Sequence, residues 1–305
     1  MSVRTRRIIR NILGVAVALV LVFFLIGVPW FIANLITTRS FHFHDANDGK
    51  TPASYGLSFH DIEFRSPDGI PLKGWYVPGG PNSHGVIVYC HGRNRTRVEM
   101  LPMAVFAHGL GYDGLLFDLR HSGASGGSIS TLGYQERLDA IAAVHYALEN
   151  EHAARPVVIW GVSMGAAAAL MAAADSQDVT AVISDSSFLS FRDVIIHHAQ
   201  LYFHLPAFPI VDEGIAWAAW RGGFRPSDFD LRKAIERMNP RPVLFIAVQD
   251  DRRIPPAVAQ ELYSISNSPQ KTLVIVPGRR HGEGFRLGNE QYEQAVKQFL
   301  AALPH

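Results

Sequence analysis

Six short runs of nearly unbroken apolar residues, at 85–90, 114–119, 157–160, 181–184, 243–248 and 273–276, divide most of the chain into a regular alternation. A strand that is apolar at successive positions has no face to offer to water, so it must be covered on both sides. Helical spacing supplies the cover. Residues 135–149 place Leu138, Ile141, Ala142, His145 and Leu148 on one face, and 290–300 close the chain with a similar pattern. Strand and helix in alternation predict a doubly wound, mostly parallel α/β sheet. Ahead of it, alternating segments at 60–65 and 72–77 flank Pro67-Asp68-Gly69, which predicts an antiparallel hairpin at the sheet's start.

One interval breaks the rhythm. About 55 residues separate the runs at 181 and 243, too many for a simple crossover. They carry Phe188, Phe191, Tyr202, Phe203, Phe208, Trp217, Trp220, Phe224 and Phe229. A helical cap over residues 187–240 is expected, with most aromatics packing it onto the body and a minority, Phe188 and Trp217 among them, lining an apolar substrate pocket.

The N-terminus reads differently. Residues 12–36 hold no charge and only Asn34 as a strongly polar side chain, enough as a helix at ~1.5 Å per residue to cross a ~30 Å hydrocarbon layer. Trp30 suits an interface, and Arg4, Arg6, Arg7 and Arg10 before the run outnumber Arg39 and Lys50 after it. That bias predicts a cytoplasmic N-terminus and an extracytoplasmic body, at the cell surface or in the periplasm. The alternative is a secreted protein released by signal cleavage, but the apolar run is long for a signal peptide and no A-x-A-like site follows it. The organisation expected is a basic N-terminus (1–11), a membrane anchor (12–36), a polar stalk (37–56) and one α/β domain (57–305).

A net charge of +1, owed largely to the arginines beside the anchor, gives no reason for a nucleic-acid partner. Cys90 is the only cysteine, which excludes an intrachain disulfide and a cysteine-built zinc site.

Chemistry concentrates at Gly161-Val162-Ser163-Met164-Gly165, between the apolar run 157–160 and the alanine-rich run 166–174. Strand, sharp turn and small-residue helix are the setting of a nucleophile elbow, where the serine hydroxyl is pushed clear of the backbone. Ser163 is the candidate nucleophile. A serine needs a base, and the base needs an acid to fix its tautomer. His281, in Gly278-Arg279-Arg280-His281-Gly282-Glu283 just past the last strand, is the best placed of fourteen histidines. Asp250 and Asp251 follow the strand 243–248, where chain order expects the acid. Asp251 is favoured by its spacing in Asp251-Arg252-Arg253-Ile254-Pro255, with Asp185 a weaker candidate. Two backbone amides, of Met164 after the nucleophile and of Arg93 after the strand 85–90, are expected to hold the oxyanion. His91 is expected beside the substrate.

Taken together, YCHGRN at 89–94, FDLRHSGASGG at 117–127, GVSMG at 161–165, DSSF at 185–188, DDRRIPP at 250–256 and GRRHGEG at 278–284 occur in the order found in α/β-hydrolases. Over about residues 57–302 the chain resembles that superfamily, and in particular bacterial membrane-anchored, cell-surface hydrolases of the serine aminopeptidase-like and palmitoyl-thioesterase-like group. Two departures stand out. Arg120-His121-Ser122-Gly123 replaces the family's frequent Arg-Gly-His-Gly, and Val248-Gln249 stands where a glycine often precedes the acid. The resemblance implies hydrolysis of an ester, thioester or amide.

Other constellations are weaker. His42-x-His44-Asp45 and His197-His198 with His204 lack three ligands at a fixed catalytic spacing, so no metal is expected. The run 123–128 lacks the Gly-Lys-Ser/Thr ending of a phosphate loop and reads as a flexible loop, so no cofactor is expected either. The function expected is a membrane-anchored serine esterase or thioesterase. A serine aminopeptidase or amidase of the same fold is the alternative within the class, because no acidic cluster for a substrate amine is visible. An inactive, membrane-tethered binding module is the alternative outside it.

Overall fold

A computed structural model describes residues 2–38, 43–287 and 290–304. His42 and the stalk residues beside it lie outside the described residues. The strands are β1 (His60–Arg65), β2 (Pro71–Val77), β3 (Val86–Cys90), β4 (Asp113–Phe117), β5 (Val157–Val162), β6 (Ala181–Asp185), β7 (Val243–Val248) and β8 (Lys271–Val276). They form one sheet in the order β1-β2-β4-β3-β5-β6-β7-β8. Only the pairings β1–β2 and β2–β4 are antiparallel, and from β4 through β3, β5, β6 and β7 to β8 every pairing is parallel. This is the α/β-hydrolase fold.

The central strands β3 to β7 are buried at every residue, as their unbroken apolar sequences require. Two cores follow, one on each face. Trp160 and Tyr89 belong to one, with Phe285 and Tyr292, while Phe117, Phe191 and Leu170 belong to the other. The helices are α1 (Val3–Val22), α2 (Val28–Thr37), α3 (Leu101–His108), α4 (Glu136–Glu149), α5 (Met164–Asp175), α6 (Phe191–Phe203), α7 (Asp212–Arg221), α8 (Leu231–Met238), α9 (Pro256–Ile265) and α10 (Glu290–Ala301), of which α3, α4, α5, α9 and α10 pack directly on the sheet.

α5 enters the sheet unusually closely. A Cβ on Gly165 would stand 2.0 Å from the Cys90 carbonyl oxygen, and one on Gly161 would stand 2.3 Å from the Gly165 backbone. Only glycine at both positions lets the helix start directly above β3 and β5. Alanines at 166–169 and 172–173, all fully buried, continue that close approach.

Between β6 and β7, α6 and α7 form a layer over the site, but α8 packs on α5 and belongs to the body. The cap is thus shorter than the interval suggests, because the sheet still needs a crossover helix before β7. Phe191, Phe224 and Phe229 are buried with Tyr134, which stacks on Phe224 at 4.3 Å. The loop 123–128 is fastened rather than loose: Ala124 N–H donates to Asp118 at 2.8 Å, and the Ser125 hydroxyl accepts from Lys73 N–H at 2.9 Å.

At the N-terminus, Val3–Thr37 is one helix long and apolar enough to cross a membrane. A five-residue wide turn, Phe23–Gly27, separates α1 from α2 just ahead of Pro29, whose ring and missing N–H a regular helix interior would not accept. No residue of α1 is buried, but α2 buries Pro29, Ile32, Ala33, Ile36 and Thr37 against the protein, chiefly α7. The last nine residues of the expected anchor, 28–36, are therefore part of the folded body.

Candidate active site

Ser163 sits at the junction of β5 and α5 with φ 55° and ψ −113°. A left-handed backbone on a residue with a Cβ costs about 1–3 kcal/mol and persists only where its surroundings enforce it. Here Ser163 N–H donates to the Asp185 carbonyl at 2.8 Å, the Ser163 carbonyl accepts from Ala167 N–H at 3.0 Å, and the glycines at 161 and 165 leave no other path. The side chain faces a cavity at the N-terminal end of α5, where the helix dipole favours negative charge.

His281 lines the same cavity. Its loop is shaped by Glu283, whose carboxylate accepts from the Arg280 amide at 2.7 Å and from the Arg279 amide. His281 Nδ1 donates to Asp251 Oδ2 at 2.6 Å, so the proton on Nδ1 leaves the Nε2 lone pair available. Asp251 is 3 % exposed, and its other oxygen accepts from the Arg253 and Ile254 amides at 2.8 and 3.0 Å. Burial pushes the Asp251 carboxyl up, but its bond and charge interaction with His281 and the two amides outweigh burial and hold it below the ordinary carboxylate range. Asp250 is exposed, and its amide bonds the Gly278 carbonyl at 3.0 Å. Asp185 is buried but committed elsewhere, accepting from Tyr292 at 2.8 Å and Ser186 at 2.7 Å.

Among the described residues neither the Arg93 nor the Met164 backbone N–H has an acceptor, and both residues line the cavity with Ser163. His91 does not reach the site. It is fully buried, accepts from Leu119 N–H at 3.1 Å and contacts the Gly92 carbonyl at 2.8 Å, so it fastens β3 to the end of β4. A histidine beside a strand end looks the same in sequence whichever way its ring turns. Phe188 lines the cavity, whereas Trp217 packs half-buried on the core away from it.

Two arms meet at Ser163 and His281. The apolar arm, a cleft of about 800 Å³ counted to its open mouth, runs between α2 and α6 past Ile32, Leu35, Ile36, Leu132, Ile195 and Phe203. The polar arm is bordered by Gly92, Arg93, Arg95, Glu99 and Arg253. Glu99 is engaged, accepting from Gly92 N–H at 2.6 Å and facing Arg95 at 3.5 Å. Arg253 is not: among the described residues its guanidinium has no hydrogen-bond or ion-pair partner, and its Nε is buried. His198, on the wall of the apolar arm, donates from Nε2 to the Arg253 carbonyl at 3.2 Å, and His197 donates to the Arg252 carbonyl at 2.8 Å. Those histidines tie the cap to the 251–254 loop. Among the described residues no three His, Cys, Asp or Glu side chains converge as a metal site.

Sequence reasoning missed the pocket side of α2 and the unpaired Arg253. Residues 28–36 carry a lipid-like composition that conceals which face is inside. Arg253 could have been suspected from its place two residues after the acid, but nothing in sequence reveals that it lacks a partner.

The fold is that of the α/β-hydrolases, and the family described as "alpha/beta hydrolase fold" matches residues 85–209. The chain is similar to the uncharacterized Bacillus subtilis protein YqkD, 28 % identical over 76 % of each chain. It is also similar to the Saccharomyces cerevisiae protein YNL320W, described as a membrane protein, 25 % identical over 83 % of this chain and 84 % of that one. Among solved structures it is similar to the Pyrococcus furiosus esterase Pf2001, with a TM-score of 0.69 at 22 % identity, covering 83 % of this chain and 94 % of that one.

Proposed function

We infer that the chain is a membrane-anchored serine hydrolase that cleaves a carboxylic ester or thioester. Ser163 Oγ attacks the carbonyl carbon as His281 Nε2 takes its proton, and the Arg93 and Met164 amides hold the oxyanion. His281 returns the proton to the leaving oxygen or sulfur as its bond to the carbonyl carbon breaks. Water then attacks the acyl-serine by the same route and releases the carboxylic acid. Asp251 keeps the imidazole in the tautomer this needs.

The observation that carries the reading is the 2.6 Å bond from His281 Nδ1 to the buried Asp251, with the histidine and Ser163 facing one cavity. An ester or thioester is favoured over an aminoacyl substrate. Among the described residues Glu99 is the one carboxylate bordering the two arms, and Gly92 N–H and Arg95 already occupy it, leaving no free acid there for a substrate ammonium. The apolar α1 and the arginines at its start support an anchor with the N-terminus in the cytoplasm and the hydrolase domain outside.

Labelling by a fluorophosphonate probe tests the nucleophile. Labelling confined to Ser163 and lost in Ser163→Ala is expected, while equal labelling of that variant would refute the assignment and no labelling of either would favour an inactive binding module. A screen of acyl esters and thioesters beside aminoacyl anilides tests the substrate class, and turnover of the anilides alone would replace the esterase reading with the peptidase one.

A further inference from the structure

The first helix of the chain does not end at the surface of the domain. α2 packs on α7 so closely that a Cβ on Gly214 would stand 2.6 Å from Ile32 Cγ2. Its end is held as well: the Arg93 guanidinium donates to the Leu35 carbonyl and, at 3.3 Å, to that of Thr38, and Ser130 N–H donates to the Thr37 carbonyl at 2.9 Å. Docked in this way, α2 offers Ile32, Leu35 and Ile36 as one wall of the apolar arm, facing α6 across it.

The same helix fixes how deep the protein sits. The apolar stretch ahead of the docked part, 12–27, makes about 24 Å of helix, short of a ~30 Å hydrocarbon layer. The remaining thickness has to come from α2, whose outer face carries Trp30 and Phe31, each about half exposed. The cap surface beside α2 then lies at the headgroup level, and that surface is aromatic. Trp220 is 80 % exposed and Phe208 79 %, and the turn Ala207–Val211 bearing Phe208 packs on both α2 and the Phe23–Gly27 turn. Large exposed aromatic rings are costly in water and suited to a membrane interface. Phe203, more than half exposed, stands at the rim of the apolar arm beside them.

We propose that the substrate is an acyl ester dissolved in the bilayer, whose chain passes from the outer leaflet into the arm between α2 and α6 without crossing water. The proposal rests on the serine-hydrolase reading above. A chain moving from lipid to an apolar pocket gains almost nothing from the hydrophobic effect, since it is shielded from water at both ends of the path. Selection then falls to the shape and length of the arm, and Ile36 on the membrane helix is a residue that sets it.

The test uses the full chain in phosphatidylcholine vesicles, with p-nitrophenyl palmitate dissolved in the bilayer and p-nitrophenyl butyrate in the water. Ile36→Trp narrows the arm and should lower the palmitate-to-butyrate ratio of kcat/KM on the order of tenfold, a size consistent with steric discrimination in apolar pockets. Ile36→Ala widens it and should raise that ratio, so misfolding of either variant leaves the other to decide. The double variant Phe208→Ser with Trp220→Ser, outside the pocket, should hydrolyse butyrate like the wild type and palmitate more slowly. A ratio unmoved by the folded Ile36 variants, or palmitate turnover unchanged in the aromatic double variant, would overturn the proposal. Butyrate hydrolysis that survives Ser163→Ala would instead remove the hydrolase reading itself, so the two failures are separable.

Discussion

The guanidinium of Arg93, on the loop after β3, donates to the backbone carbonyl of Leu35 in the last turn of the N-terminal helix. The residue proposed to give one amide to the oxyanion is thus also the clasp that holds the N-terminal helix on the domain.

Signal cleavage after the apolar stretch would remove Ile32, Leu35 and Ile36 from the pocket wall and leave Arg93 without these acceptors. The protein isolated from membranes should therefore keep its N-terminal helix. Intact-mass measurement of the chain extracted in detergent checks this, and a mature form starting beyond Thr37 would contradict it.

The two adjacent aspartates should behave unlike each other. Asp251→Asn removes the acceptor that sets the His281 tautomer and should reduce kcat by roughly 10³–10⁴-fold, the scale seen when a triad acid is neutralised. Asp250→Asn alters an exposed side chain and should stay within about twofold, as surface changes usually do. Comparing kcat for the two variants on one ester decides it, and the reverse ranking would move the acid by one position.

Acid should loosen the cap. Burial, and then the charge of Arg253, lower the His198 imidazole to about 4. An unfolded histidine protonates near 6.5. Between those values the unfolded chain binds the extra proton and the folded chain does not, so stability falls as pH drops from about 6.5 to about 4 and this contribution then levels off. The loss is at most about 3 kcal/mol from this group. His198→Gln, which retains an N–H for the Arg253 carbonyl, should flatten that part of a plot of Tm against pH. An unchanged slope would show that another group governs it.

Arg253, whose guanidinium has no partner among the described residues, presents a cation where the two arms meet. Arg253→Met keeps the length of the side chain and removes its charge, so KM should rise roughly tenfold or more for esters bearing a carboxylate or phosphate on the leaving group, with neutral esters little affected. Charge-assisted hydrogen bonds of this kind contribute about 1.5–3 kcal/mol. Equal effects on charged and neutral esters would assign the residue to packing alone.

Gly165→Ala should be among the most damaging single-methyl changes available in this chain. Its Cβ would press on the backbone of Cys90, which has no side-chain freedom to yield. A drop in Tm together with loss of fluorophosphonate labelling is expected, whereas Gly223, with nothing near a Cβ, would show only the cost of its positive φ.

Much of the sheet was legible because its signal is local. Strands apolar on both faces occur within a few residues of where they were expected, and the hairpin at Pro67-Asp68-Gly69 opens the sheet. α3 and α9 were not foreseen. α3 is buried at Leu101, Met103, Ala104 and Ala107, so it lacks a polar stripe to betray a helical period. The residues 161–165, 251 and 281 could be singled out by motif and order. Ring orientation at His91 and the inward face of α2 depend on partners far away in sequence, Leu119 and Gly214 among them, and no window along the chain contains both members of such a pair.

Because α2 both continues the apolar N-terminal helix and walls the cleft, the proposed tethering and the proposed selectivity cannot be exchanged independently. On the proposed reading, grafting another protein's membrane segment onto this domain would also rewrite which molecules fit it, and a drift in bilayer thickness would be felt at Ser163 through the same ten residues.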